Sequence, residues 1–165
     1  MIKVTKVRLA FYRHNKTKLD KLIAGYTRIF TWNTPPFSHV ELGIYLEGEW
    51  KYFSSTMRNN GQGTRWISEK DLFKNAGRWH VYHYYSERSE EDLLLRIDEI
   101  IPAKYDMWGI FGFLTLFGLS NSAKKWYCSE ACWRVLFKWK KRISPIRMYA
   151  KLKNKLHRTT EFFSF

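Results

Sequence analysis

The sequence predicts an α+β domain in which a small antiparallel sheet packs against helices. Several short segments alternate apolar and polar residues, as half-buried strands do, and a tight turn joins two of them. Other segments place apolar residues at helical spacing and are segregated from the strands. The chain has 165 residues, close to the usual length of one domain, so we expect a single domain over 1–165.

The clearest strand carries two polar side chains on one face. Val40, Leu42 and Ile44 share the face that suits a core, while His39 and Glu41 lie on the opposite face. Four segments in all are predicted as strands: 2–12, 38–46, 49–55 and 78–85.

Helix signals occur in five places. Ser68 and Ser89 each precede an aspartate by three residues, which is a pattern that caps the start of a helix. A loop is expected over 58–63, and Asp106 can cap the fourth helix. The predicted helices are 17–30, 68–74, 89–101, 106–119 and 127–140.

The charge of the chain is strongly positive. It has 29 Lys and Arg against 15 Asp and Glu, a net charge of +14, and such a field attracts polyanions. Nine of the cations lie between Lys138 and Arg158, where no acid occurs. We expect a basic C-terminal segment over about 138–160, either as a solvated tail or as a docking surface for an anionic polymer or a membrane surface. No base-reading motif for nucleic acid is present.

Cellular location and cofactors are constrained by what the sequence lacks. The first residues lack the apolar run of a signal peptide. The most apolar stretch, Met107–Leu119, is shorter than the ~20 residues that span a bilayer. We therefore expect neither a signal peptide nor a transmembrane helix. Two cysteines cannot form a disulfide framework, and no four metal ligands lie close together, so we expect no cofactor.

Cys128 is the candidate nucleophile. It lies where the amphipathic helix after Tyr127 begins, and the free N–H groups of a helix start stabilise a thiolate and an oxyanion. Such a nucleophile needs a base from another element, and His39 on the polar face of its strand fits this role. Cys132, one turn further along the helix, is expected in the core.

Four motifs occur in a characteristic order. They are SHVEL at 38–42, FSS at 53–55, YDxxG at 105–109 and WYCSE at 126–130. Together they resemble the permuted papain-like cysteine hydrolases related to NlpC-type amidases, and especially small bacteriophage and bacterial proteins. The same order of His strand before Cys helix occurs in lecithin:retinol acyltransferase-like enzymes. The resemblance spans about 37–144 and implies a circularly permuted papain-like fold, with a partial barrel and the cysteine at a helix N-terminus.

The resemblance also implies site residues. Cys128 would be the nucleophile and His39 the general base, then acid. A third polar residue should orient the imidazole, and the related enzymes carry His, Glu, Gln or Asn on the following strand. That strand here offers only hydroxyls, of which Ser54 is one candidate. Glu41 is the other, although residues two apart on a strand lie ~7 Å apart, which makes direct contact with His39 awkward.

The expected activity follows from this resemblance. We expect a thiol hydrolase that cleaves an amide through an acyl-enzyme, with bacterial cell-wall peptides as one substrate class and Tyr105, Tyr127 and Ser129 as substrate contacts. One alternative is a lipid-directed acyl hydrolase or acyltransferase. Another is a non-enzymatic phage structural or binding protein that retains the fold. The expected location is the host cytoplasm or a phage particle.

Overall fold

Six strands form one antiparallel sheet in the computed structural model, which describes residues 4–13, 35–56, 63–105, 125–137 and 143–159. The spatial order is β4-β3-β2-β1-β5-β8, and every neighbouring pair is antiparallel. The strands are β1 (Thr5–Arg13), β2 (Phe37–Leu46), β3 (Glu49–Thr56), β4 (Gly63–Ser68), β5 (Trp79–Ser86) and β8 (His157–Arg158).

Helices and a second, two-stranded sheet complete the described part of the chain. Strands β6 (Lys104–Tyr105) and β7 (Lys125–Trp126) pair in parallel. The α-helices are α1 (Glu69–Leu72), α2 (Glu90–Asp98), α3 (Cys128–Phe137) and α4 (Pro145–Leu152), and short 3-10 helices occupy Phe73–Arg78 and Lys153–Lys155.

The predicted α+β class is confirmed, and so are most of its predicted elements. Strands at the four predicted places differ from their predicted bounds only at the ends. The side chains of Ser68 and Ser89 accept hydrogen bonds from the amides of Asp71 and Asp92, as the capping pattern predicts. Strand β4 was not predicted. The predicted helices 17–30 and 106–119 lie outside the described residues, as does most of the predicted loop 58–63.

Both faces of the sheet are covered. The larger apolar cluster joins Val40, Leu42 and Ile44 of β2 to the buried faces of α2, α3 and α4. A smaller cluster on the other face contains Tyr52 and Phe73. A side chain at Gly43 would meet the Tyr52 ring at 2.7 Å, so the face of β2 that carries His39 and Glu41 is also tightly packed.

Within the described residues 143–159, the basic C-terminal segment is not a solvated tail. Residues 145–152 form α4, which buries Ile146, Met148 and Leu152 in the larger cluster, and β8 pairs with β5. Of the two alternatives, the solvated tail was wrong because it weighed the charges alone, and the docking surface stays a prediction. The apolar residues between them have helical spacing, and their burial fixes the backbone while long cationic side chains extend to water. Lys151 and Lys155 are exposed.

Among the helices of the described ranges, none combines the length and the apolar character needed to cross a membrane.

Candidate active site

Cys128 is the first residue of α3, as the sequence predicts. The carbonyl of Tyr127 accepts the first hydrogen bond of the helix, from the amide of Ala131 at 3.0 Å. The chain enters this helix through β7, where the Ser55 hydroxyl donates to the carbonyl of Trp126 at 2.6 Å. This contact ties the start of α3 to β3. The first amides of the helix have no carbonyl partner within it, so they are available to a negative charge.

His39 lies in an irregular part of β2. Tyr12 pairs with His39, but the next residue of β1, Arg13, pairs with Phe37. Ser38 is therefore the extra residue of a β-bulge. A bulge bends its strand and increases the local twist, which changes the direction of the neighbouring side chains. Bulges recur beside active sites for this reason, and this one lies immediately before the candidate base.

The Cys128 sulfur and the His39 imidazole are in side-chain hydrogen-bond contact. Burial raises the pKa of Cys128, but His39 and the backbone amides of Val40 and Ser129 outweigh it, and the thiol pKa is lowered. Burial also opposes charge on His39, yet Cys128 and Glu41 raise its pKa to about 9. A lowered thiol pKa beside a raised imidazole pKa favours a thiolate–imidazolium pair.

Glu41 contacts His39 directly, with its Oε1 atom 2.7 Å from Nε2 of the imidazole. The expectation that this contact would be awkward was wrong. The distance of ~7 Å along the strand separates the backbone atoms of the two residues. Their side chains lie on one face and are long enough to meet. Glu41 is fully buried. Burial disfavours its charge, but His39 and Arg65 lower its pKa to about 2. An ionised carboxylate therefore orients the imidazole and leaves its second nitrogen for Cys128.

Arg65 of β4 completes the polar chain. Its Nη1 donates to Oε2 of Glu41 at 2.9 Å and its Nη2 to Oε1 at 2.7 Å. Arg65 was not predicted as a site residue because β4 was not recognised in the sequence. The segment GTRWIS holds β-branched and aromatic residues directly after a glycine-rich loop, which is a usual signal for the next strand of a meander.

Ser54 does not orient the imidazole. Its hydroxyl donates to the carbonyl of Val40 at 2.8 Å and is fully buried. Its role is to bind β3 to β2 beside the site. Cys132 is also buried, as predicted, and burial raises its pKa. The pKa values of the two cysteines are thus shifted in opposite directions although both belong to one helix.

The proposed substrate contacts have other partners. The hydroxyl of Tyr127 accepts from the amide of Ile143, and the hydroxyl of Ser129 donates to the carbonyl of the same residue. Both side chains therefore hold the segment before α4 instead of lining a cleft. Tyr105 belongs to β6 and pairs with Trp126, close to the start of α3. Its side chain and residues 106–109 of the YDxxG motif lie outside the described part of the chain.

No metal centre is formed by the described residues, since no three His, Cys, Asp or Glu side chains among them converge on one point. Glu41 contacts His39, and His39 in turn interacts with Cys128.

Comparison with known proteins gives a structural relationship but no family. No protein-family model matches the chain, and no curated protein matches it. Among solved structures, it is similar to the metalloprotein yiiX from Escherichia coli O157:H7, described as DUF1105, with a TM-score of 0.51 and 14% sequence identity. The match covers 96% of this chain and 89% of that one. At this identity the similarity concerns the fold alone.

Proposed function

We propose that this protein is a thiol hydrolase with Cys128 as nucleophile, His39 as general base and acid, and Glu41 as the residue that orients the imidazole. The observation that carries the proposal is the contact between a helix-start cysteine and a histidine that a buried carboxylate holds in place. Nucleophilic catalysis requires this arrangement, in which a base contacts the nucleophile and a third group orients the base.

The chemistry follows from the charges. The Cys128 thiolate attacks the carbonyl carbon of an amide, and the carbonyl electrons move to oxygen. Backbone amides at the start of α3 stabilise this oxyanion. When the C–N bond breaks, the His39 imidazolium protonates the leaving amine, and an acyl-enzyme remains. The neutral imidazole then takes a proton from water, the hydroxide displaces the thiolate, and a carboxylic acid is released.

We further propose that the fold is a circularly permuted papain-like fold. The strand with the histidine precedes the helix with the cysteine in this chain, which is the reverse of the order in papain. The antiparallel sheet packed against the cysteine helix is compatible with this type. A crystal structure that gives the paths of residues 14–34 and 106–124 would test the assignment. The permuted fold predicts which strands and helices those two segments connect.

The test of the active site is the reactivity of Cys128 in the native protein. We expect iodoacetamide to modify Cys128 with a pH midpoint below the ~8.5 of a free thiol, with mass spectrometry to locate the label. Cys128→Ser should abolish the native labelling, His39→Asn should raise the midpoint, and Cys132→Ala should leave it unchanged. If Cys128 of the wild type reacts like a model thiol across pH 5–9, the range that spans tuned and free thiols, the proposal is wrong.

The substrate class that we propose is an amide in bacterial cell-wall peptides. The lipid-directed acyl hydrolase or acyltransferase differs by its need for a membrane surface, for which the exposed Lys151, Lys153 and Lys155 offer positive charge. Sedimentation with phosphatidylglycerol vesicles separates the two, because lipid-dependent cleavage requires binding that persists in high salt. A non-enzymatic phage protein would show neither amide nor ester cleavage while the Cys128 midpoint stays low.

A further inference from the structure

The Arg65–Glu41 pair is the most completely bonded ion pair near the candidate site. Two parallel hydrogen bonds join the guanidinium to both carboxylate oxygens of Glu41. This fork geometry holds a carboxylate in one plane and one orientation, which a single ammonium cannot do. Because Oε1 also contacts His39, the orientation that Arg65 imposes on the carboxylate also fixes the position of the oxygen that holds the imidazole.

Charge balance gives Arg65 a second role. A thiolate at Cys128, an imidazolium at His39 and a carboxylate at Glu41 sum to one negative charge, and all three side chains are buried. A buried net charge is costly unless an opposite charge compensates it. Arg65 supplies that charge, and its side chain is only 25% exposed, so water screens it little. The four side chains together are neutral.

The sheet places Arg65 in this position. Arg65 of β4 pairs with Ser54 of β3, and the Ser54 hydroxyl binds the carbonyl of Val40 in β2. The guanidinium therefore reaches across β3 to Glu41. Strands β3 and β4 have no other charged group bonded to that carboxylate among the described residues.

We propose that Arg65 is a positioning residue for the Cys128–His39 pair and that it acts through Glu41. It is the fourth member of a chain of interacting side chains that runs from β4 to α3. This inference rests on the proposed function. It deepens that function by assigning the group that keeps the orienting carboxylate ionised and in plane.

The expected effect has a definite sign. Loss of the guanidinium removes a positive charge that favours the Cys128 thiolate and releases one side of Glu41. The titratable and charged groups at this site are His39 and Glu41 from β2, Arg65 from β4, and Cys128 with the neutral thiol of Cys132 from α3. Of these, only Arg65 is altered in Arg65→Gln, so the labelling midpoint of Cys128 should rise.

The experiment measures iodoacetamide labelling of Cys128 against pH in wild type, Arg65→Gln and Arg65→Lys. At pH values below both labelling midpoints, we expect Arg65→Gln to lower the labelling rate by about tenfold, which corresponds to a rise of about one in the thiol pKa. Arg65→Lys keeps the charge without the fork, and we expect an intermediate profile. If Arg65→Gln does not fold, Arg65→Lys decides, because a profile identical to that of wild type would overturn the role of the fork.

Arg8→Gln is the matched control. Arg8 is also a buried arginine paired with a glutamate, Glu69, and it lies against the Trp50 ring on another part of the sheet. Its loss should reduce stability without moving the Cys128 midpoint. A folded Arg65→Gln protein with the wild-type midpoint would show that Arg65 is only structural. A wild-type Cys128 that reacts like a model thiol would instead remove the proposed function, and this inference with it.

Discussion

Glu41 should make the free energy of unfolding of this protein depend on pH, and the substitution Glu41→Gln should remove that dependence. Its carboxylate accepts hydrogen bonds from Arg65 and contacts His39 while fully buried. These partners hold its pKa at about 2, against an ordinary value of 4.5. A group whose pKa is lowered by folding stabilises the native state above its unfolded pKa. The stabilisation is then lost as the pH falls from 4.5 through 2.

The magnitude follows from that difference in pKa. A lowering from 4.5 to about 2 corresponds to roughly 3 kcal/mol, at about 1.4 kcal/mol for each tenfold change in proton affinity. The breaking of a buried ion pair by removal of one partner costs about 3–5 kcal/mol, which agrees. Glu41→Gln keeps the shape of the side chain and removes its charge. We therefore expect a loss of about 3 kcal/mol at pH 6.

Urea unfolding followed by circular dichroism, at several pH values between 2 and 6, measures this effect in wild type and Glu41→Gln. The difference between the two free energies of unfolding should be largest at pH 6 and should shrink toward zero as the pH falls to 2, where about half of the wild-type carboxyl is protonated in the native state. Other acids titrate in both proteins and cancel in the difference. A difference that stays constant over this range would refute the reasoning, because it would show a packing effect and not an ionised carboxylate.

Three further substitutions test the packing around the site, each by urea unfolding and by the iodoacetamide midpoint of Cys128. Ser54→Ala should cost about 1–2 kcal/mol, because a buried carbonyl loses its donor, and it should leave the midpoint unchanged; a raised midpoint would restore Ser54 as an orienting residue. Gly43→Ala should cost at least about 1–3 kcal/mol, because the new methyl overlaps the buried ring of Tyr52, and a neutral effect would contradict that contact. Tyr127→Phe should cost about 1–3 kcal/mol, because the amide of Ile143 loses its acceptor; a large loss of labelling without loss of stability would instead indicate a direct role near substrate.

Local sequence patterns were sufficient for much of the fold. The alternation in β2 and the serine caps at Ser68 and Ser89 depend on neighbours within a few residues, so they can be predicted without knowledge of the fold. Strand β4 was missed because its short segment follows a loop and lacks clean alternation. The basic segment was misjudged because charge was weighed above the apolar spacing that buries α4.

Some residues of the candidate site could likewise be predicted from the sequence, and others could not. Cys128 could be selected from the sequence because its distinguishing property, a place at the start of a helix, is local. His39 could be selected because strand alternation assigns its face. The sequence alone could not choose between Ser54 and Glu41, because that choice depends on side-chain directions at a bulge and on the register of three strands.

The sequence by itself predicted the α+β class and the candidate pair Cys128 and His39, since helix starts, strand faces and the order of the SHVEL and WYCSE motifs are all properties of the chain alone. Only the tertiary structure decided that Glu41 holds the imidazole and that Arg65 holds Glu41. Those contacts join residues of separate strands. A buried carboxylate remains ionised only when the whole sheet brings its counter-charges within hydrogen-bond distance.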